Sequence, residues 1–313
     1  MHAAAFSPQG GVSPRSARLR GQSINEYVLI IAVIGLVIVF AGPGVAGAIR
    51  NQFSQVTNTV DSGTDGGNFM SAEEKAYQEA MKTVVNKDAK DWTLDEQKAA
   101  ATDIAKNGTS SVVYAKAKAA MEAGTKYSAK LTNGKTLEYR IVGINHDDLA
   151  DGSGKAGLTF EATNTVLGAQ RMNATQTNAG GWEQSELRGR LNSGDLWSLL
   201  PSELQSKVKT VKKMTDNKGG GTAGTPSATT DKVFLLSTTE VYGNLQSDGA
   251  QYEYYKSKGV STSSYSGASS SYYHWTRSVS PSYSTHFRVV NSYGGYNYNG
   301  ATGTGYVFPA FSF

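Results

Sequence analysis

The densest cluster of side chains able to do chemistry is His146-Asp147-Asp148, with Asp151 and Gly152 close behind. Its oxygens could hold Ca²⁺. The EF-hand spacing is absent, because Leu149 and Leu158 stand where carboxylates are wanted, so a polar turn after a strand is the preferred reading. The other histidines are His2, His274 and His286, and no pair has zinc-ligand spacing. No Gly-x-Ser-x-Gly nucleophile elbow occurs. The absence of cysteine removes thiolate nucleophiles, thiolate metal sites and disulfides together. The sequence therefore assigns no catalytic residue, no metal and no cofactor, and an enzyme is not expected.

Binding chemistry is better represented. The stretch from Tyr265 to Tyr298 sets many tyrosines, with His274, Trp275 and His286, among Ser, Gly and Asn. That composition is typical of adaptable recognition surfaces. Aromatic faces stack on sugars, and the phenol adds a hydrogen bond. Any single tyrosine is more often an ordinary core or edge residue. It is the group that points to an adhesive face.

The elements that must carry these residues begin with a basic leader. Of 30 Lys and Arg against 26 Asp and Glu, three arginines (Arg15, Arg18, Arg20) fall in residues 1–21, which hold no acid. Without those three the net charge of +4 falls to +1, so nothing argues for a nucleic-acid partner. From Tyr27 to Ile49 there is no charged residue, a run of about 34 Å as a helix, enough for a hydrocarbon core. The preceding arginines would stay cytoplasmic and place the C-terminal bulk outside. A plain signal anchor and a secretory signal peptide cleaved after Ala48, in Ala46-Gly47-Ala48, are two readings of this segment. A third rests on Gly21-Gln22-Ser23-Ile24-Asn25-Glu26-Tyr27. A carboxylate at the mouth of a membrane helix needs a partner. Cleavage between Gly21 and Gln22 would create an ammonium within i,i+4 reach of Glu26.

With its basic leader, Gly21, Glu26 and Tyr27, the segment over residues 15–60 resembles the prepilins of tight-adherence (Flp-type) type IV pili. The resemblance implies cleavage by prepilin peptidase at Gly21/Gln22, with Glu26 and Tyr27 serving assembly. Pro43, between Gly42 and Gly44, should kink the helix. Other pilin subunits would be partners through residues 22–60. The chain would sit in the cytoplasmic membrane before assembly and then in an extracellular pilus or on the cell surface. These pilins are usually very short, so some 250 further residues suggest a decorated or minor subunit.

Residues 61–69 read as a linker. Capping boxes at Ser71/Glu74 and Thr93/Glu96, and stops at Asn107-Gly108 and Gly124, frame short alanine-rich helices over 70–126, a stalk or collar against the head. From Tyr127 the period becomes that of strands. Asn133-Gly134 is a hairpin turn, followed by alternating Leu137, Tyr139 and Ile141. Leu187 and Leu191 suit a short helix, and Ser202 with Gln205 caps another carrying Leu204, Val208 and Val211. Residues 215–231 read as an exposed mobile loop, and Val233–Leu236, Phe287–Val290 and Tyr306–Phe311 as strands.

The ordered segments Tyr139–Asp148, Trp182–Asn192, Asp231–Ser237, Trp275–Ser278 and Val307–Phe311 resemble a domain of unknown function found in surface and phage-related proteins of Gram-positive gut bacteria. The resemblance spans about 130–313 and implies a C-type-lectin-like fold, akin to formylglycine-generating enzymes and phage receptor-binding proteins. The enzymes' activity needs cysteine and is excluded. Within the resemblance Trp275 and Arg277 belong to the framework, while Tyr283, His286, Tyr293, Tyr296 and Tyr298 would face a ligand, a glycan or protein receptor.

The expected fold is thus α+β: a long N-terminal hydrophobic pilin helix, a short helical segment, then a C-type-lectin-like head over 127–313. The expected function is a structural and adhesive pilin subunit displaying a binding head. The alternatives are a membrane-anchored or secreted carbohydrate-active enzyme or binding protein with a cleaved signal peptide, and a pseudopilin serving a secretion machine.

Overall fold

A computed structural model describes residues 70–313. The first elements are helices whose ends are written locally. Helix α1 (Ala72–Val84) begins where the Ser71 hydroxyl accepts the Glu74 amide at 3.0 Å. Helix α2 (Leu94–Asn107) opens on a complete capping box, with Glu96 reaching back to the Thr93 amide at 2.7 Å. Helix α3 (Tyr114–Ala123) ends on Gly124 in the left-handed conformation.

Strands β1 (Lys126–Lys130) and β2 (Thr136–Ile144) pair across the Asn133-Gly134 turn, and Leu137, Tyr139 and Ile141 alternate inward as their spacing predicts. Then follow β3 (Leu158–Ala162), β4 (Ala169–Gln170), the short helices α4 (Glu186–Asn192), α5 (Asp195–Ser198) and α6 (Ser202–Gln205), and the hairpin β5 (Val211–Thr215) and β6 (Ser227–Asp231). The chain continues through β7 (Val233–Phe234), α7 (Thr238–Tyr242), α8 (Glu253–Ser257), β8 (His274–Val279), β9 (His286–Val290), β10 (Tyr296–Gly300), β11 (Gly305–Tyr306) and β12 (Ala310–Ser312).

One sheet is antiparallel throughout, in the order β1-β2-β3-β12-β7. The second, β10-β9-β8-β11-β4, is mixed, because β11 runs parallel to β8. The core of the first is aromatic: Phe160 lies 5.5 Å from Tyr139 and 5.6 Å from Phe311, ring centre to ring centre. The helices share this core rather than standing apart from it. Val84, Trp92 and Ile104 are buried in the same cluster as Tyr139 and Phe160. Tyr139 donates to Gln97 on α2 at 3.1 Å, and Gly157 approaches α2 so closely that a β-carbon there would lie 1.8 Å from the Ala101 carbonyl oxygen. Residues 70–126 are a collar built into the head.

The structure corrects the expected fold class. No helix among the described residues is long and apolar enough to cross a membrane. The longest, α2, has 14 residues, mixes alanine with Asp, Glu and Lys, and spans about 21 Å. A fold led by a long hydrophobic pilin helix, and the description of the chain as a transmembrane type IV pilin, therefore have no support. The predicted helix over 22–60, the cleavage site Gly21/Gln22, the assembly residues Glu26 and Tyr27 and the kink at Pro43 lie outside the described residues.

Smaller differences have plain causes. Residues 216–226 are the expected loop, but its flanks are strand: Thr215, Thr229 and Asp231 are buried in the β5–β6 hairpin, whose threonines fill half-buried strand positions. Val211 begins β5 instead of extending α6, and α6 takes Pro201, not Ser202, as its N-cap.

Candidate functional site

The residues that stand out in the sequence fall into two environments, a sealed ionic one and an open aromatic one. The sealed one lies between α7 and β8. Glu240 on α7 completes a capping box, accepting the Ser237 amide at 2.9 Å. The same carboxylate receives two arms of Arg277 on β8, one at 2.8 Å, and Lys213 on β5 at 2.6 Å. The remaining Arg277 donors reach Thr215 Oγ1 and the Leu235, Met214 and Asp248 carbonyls, so the guanidinium is fully satisfied. Lys213 also meets Asp147 at 2.5 Å, and Asp147 accepts from Thr159 at 2.5 Å and Tyr252 at 2.8 Å. Burial alone would raise the Asp147 carboxyl, but the charge of Lys213, with that of His146 and the donated hydrogen bonds, holds it down to about 2. Burial would likewise raise Glu240, and Arg277 and Lys213 reverse that to a net lowering.

Every member of this network is buried, so no substrate reaches it. Its physical role is to fix the relative placement of β5, α7 and β8, since a half-satisfied version would be strongly unfavourable. It also answers the Ca²⁺ question for the sequence cluster. Asp147 is committed to Lys213, Asp148 to Lys155 at 2.8 Å, and Asp151 to Ser153 at 2.7 Å. His146 stacks on Tyr252 with ring centres 4.0 Å apart and pairs with Glu253 at 3.2 Å. Among the described residues no group of three or more His, Asp or Glu is placed to hold a metal ion. Trp182 and Arg188 are structural in the same sense, both bonded to the buried carboxylate of Asp231, at 3.1 Å and 2.6 Å.

The open environment is the outer edge of the second sheet. Strands β9 and β10 are joined at Asn291, whose side-chain oxygen accepts the amides of Tyr293 and Gly295 at 3.1 and 2.9 Å. Gly294 is required there. Its φ is +92°, and a β-carbon would lie 2.1 Å from the Tyr265 carbonyl oxygen. This turn sets the register that places Tyr298 opposite Arg288 and Tyr296 opposite Val290. Tyr296 and Tyr298, two residues apart on an edge strand, therefore share one face.

Of the residues expected to face a ligand, four come together. The Tyr283 ring is 5.6 Å from Tyr298 and 5.2 Å from His286, and both Tyr296 and Tyr298 flank the guanidinium of Arg288. Tyr283 is 53% exposed and Tyr296 38%. Tyr293, 69% exposed, sits at the hairpin turn. Arg288 escapes a sequence reading because His286-Phe-Arg-Val-Val290 scans as a plain strand. The available signal was one charged residue in an otherwise apolar run. Through Tyr242, whose ring is 5.5 Å from Tyr296, the face adjoins a cleft of about 600 Å³ lined by Thr239, Gln246, Gln251 and Lys256.

A larger cleft of about 1090 Å³ lies between α1 and α2 and the segments 153–156 and 206–209. Its notable group is Lys98, whose ammonium is pushed down to about 7 by burial and by the neighbouring Lys209. Lys207, beside it, is paired with Asp95 at 2.5 Å. No nucleophile with a base and an orienting partner is assembled there.

A cysteine-free α+β domain with a sealed ionic centre and an open tyrosine edge is thus the class these observations define. The chain belongs to the family described as a domain of unknown function (DUF6273), whose model matches residues 156–313. The match opens just before β3 and takes in Lys213, Glu240, Arg277 and the β9–β10 hairpin, while the collar, β1, β2 and Asp147 precede it. No solved structure and no curated protein matches the chain, so the C-type-lectin-like comparison has no structural relative behind it.

Proposed function

We propose that this protein is a recognition protein working at the cell surface, with the edge of the second sheet binding a glycan. The observation that carries the reading is the cluster of Tyr283, His286, Tyr296 and Tyr298 on and beside the β9–β10 hairpin, with Tyr283 and Tyr296 exposed and His286 and Tyr298 half-buried. Rigid aromatic side chains present large contact area at little entropic cost, and a sugar's C–H face packs on them while its hydroxyls meet the phenols. The sealed ionic centre supports a binding role over a catalytic one, because the strongest acid–base constellation is closed to substrate.

The test is retention of the full chain on a panel of immobilised glycans, with a Tyr283→Ala/Tyr298→Ala double variant alongside. Retention on a defined glycan that the variant loses supports the reading. Equal retention of the two proteins, or retention only on a protein receptor, overturns it. Protease treatment of intact cells tests the location, and a head that survives such treatment is not displayed outside.

A further inference from the structure

We propose that Arg288 is an anion-binding subsite at the base of the tyrosine face, and that it takes the carboxylate of an acidic saccharide. This inference rests on the recognition reading and names the class of ligand. Arg288 is 6% exposed, and its Nε is buried without a hydrogen-bond partner among the described residues. Three other arginines show what the fold does with guanidinium groups. Arg140 holds Glu161 at 3.0 Å, Arg188 holds Asp231 at 2.6 Å, and Arg277 holds Glu240. Arg288 has no carboxylate within ion-pair distance among the described residues. Asp248, the acid whose charge it feels, is engaged with Thr239 at 2.6 Å and with Ser278. A cation withdrawn from water without a counter-ion is unfavourable unless something else compensates it.

Part of the compensation is visible. The guanidinium carbon lies 4.8 Å from the centre of the Tyr298 ring and 5.8 Å from that of Tyr296. Ring faces stabilise the charge but satisfy none of its N–H donors. The unpartnered Nε is the donor that a planar anion would satisfy, and a carboxylate matches the guanidinium fork with two parallel hydrogen bonds. The tyrosines around it supply stacking surfaces for the rest of a sugar ring. An uncharged sugar offers those donors hydroxyl acceptors but no counter-charge. A uronic acid residue satisfies the cation and the aromatic rim together.

The probe is an oligogalacturonate, with the uncharged galactose oligomer as its counterpart, titrated into the full chain by calorimetry. Binding of the oligogalacturonate that weakens with added salt, and at least about tenfold weaker binding of the neutral oligomer, is expected. Arg288→Gln should lose at least about tenfold in oligogalacturonate affinity. Its thermal midpoint should stay level or rise, because an unpaired buried charge is removed. Tyr298→Ala should weaken both oligomers. If the neutral oligomer binds as tightly as the acidic one and Arg288→Gln changes neither, the anion subsite is overturned while glycan recognition stands. If neither oligomer binds, the inference falls, and the glycan panel decides recognition separately. A loss of thermal stability in Arg288→Gln would mean that the guanidinium holds the fold, and that too overturns the subsite.

Discussion

Arg277 and Glu240 meet in a two-armed ion pair, Nη2 to Oε1 at 2.8 Å, at 0% and 2% exposure. Glu240 is at the same time the N3 residue of a capping box and the acceptor for Lys213. Three separate elements thus converge on one carboxylate. Glu240→Gln should lower stability by about 3–5 kcal/mol, the usual effect of stranding buried charges. Urea unfolding followed by tryptophan fluorescence reads this directly, and an unshifted midpoint would mean that the pair contributes nothing net.

The acid response should come in two stages. His274, pushed down to about 4 by burial, is neutral in the folded chain where the unfolded chain, titrating near 6.5, is protonated. The unfolded state binds more protons in that window, so stability falls as pH drops from about 6.5 to about 4. Asp147 titrates at about 2 when folded against 3.8 otherwise. Its contribution is present above about pH 4 and is lost as pH falls to about 2. Thermal midpoints measured across pH should show His274→Leu flattening the upper limb and Asp147→Asn the lower one. Identical slopes in both variants would contradict the assignment.

Gly157→Ala probes whether the collar belongs to the head. A β-carbon at 157 would overlap the Ala101 carbonyl, so α2 must move off β3 or the strand must shift. Overpacking of this kind costs about 1–3 kcal/mol or more. The expected result is a single transition at a lower midpoint for the whole described region. Two separate transitions would make the collar an independent unit.

Local chemistry was readable from the sequence where one residue type decides the outcome. The Thr93/Glu96 box, the Asn133-Gly134 turn and the inward alternation of Leu137, Tyr139 and Ile141 all appear as their spacing predicts. The tyrosines' gathering on one edge follows from their spacing on β10 and from a turn that only glycine can make. Long-range pairings were not readable. Asp147 looked like part of a polar turn, yet its partner Lys213 is 66 positions away and its charge is spent inside. The 215–231 segment reads as mobile because its composition is that of a loop, whereas pairing to β5 and burial of Thr229 and Asp231 make its last five residues, 227–231, strand. Arg288 gave no sign beyond its charge, since what distinguishes it is the absence of a partner.

Strand β12 lies between β3 and β7, one strand in from the edge of the first sheet. The ribosome makes residues 158–162 and 233–234 long before it makes 310–312, and until then those two strands have no hydrogen-bonding neighbour between them. A nascent chain cannot close this sheet before residue 312 is made. Its closure waits on pairings between distant parts of the chain, and such pairings form slowly.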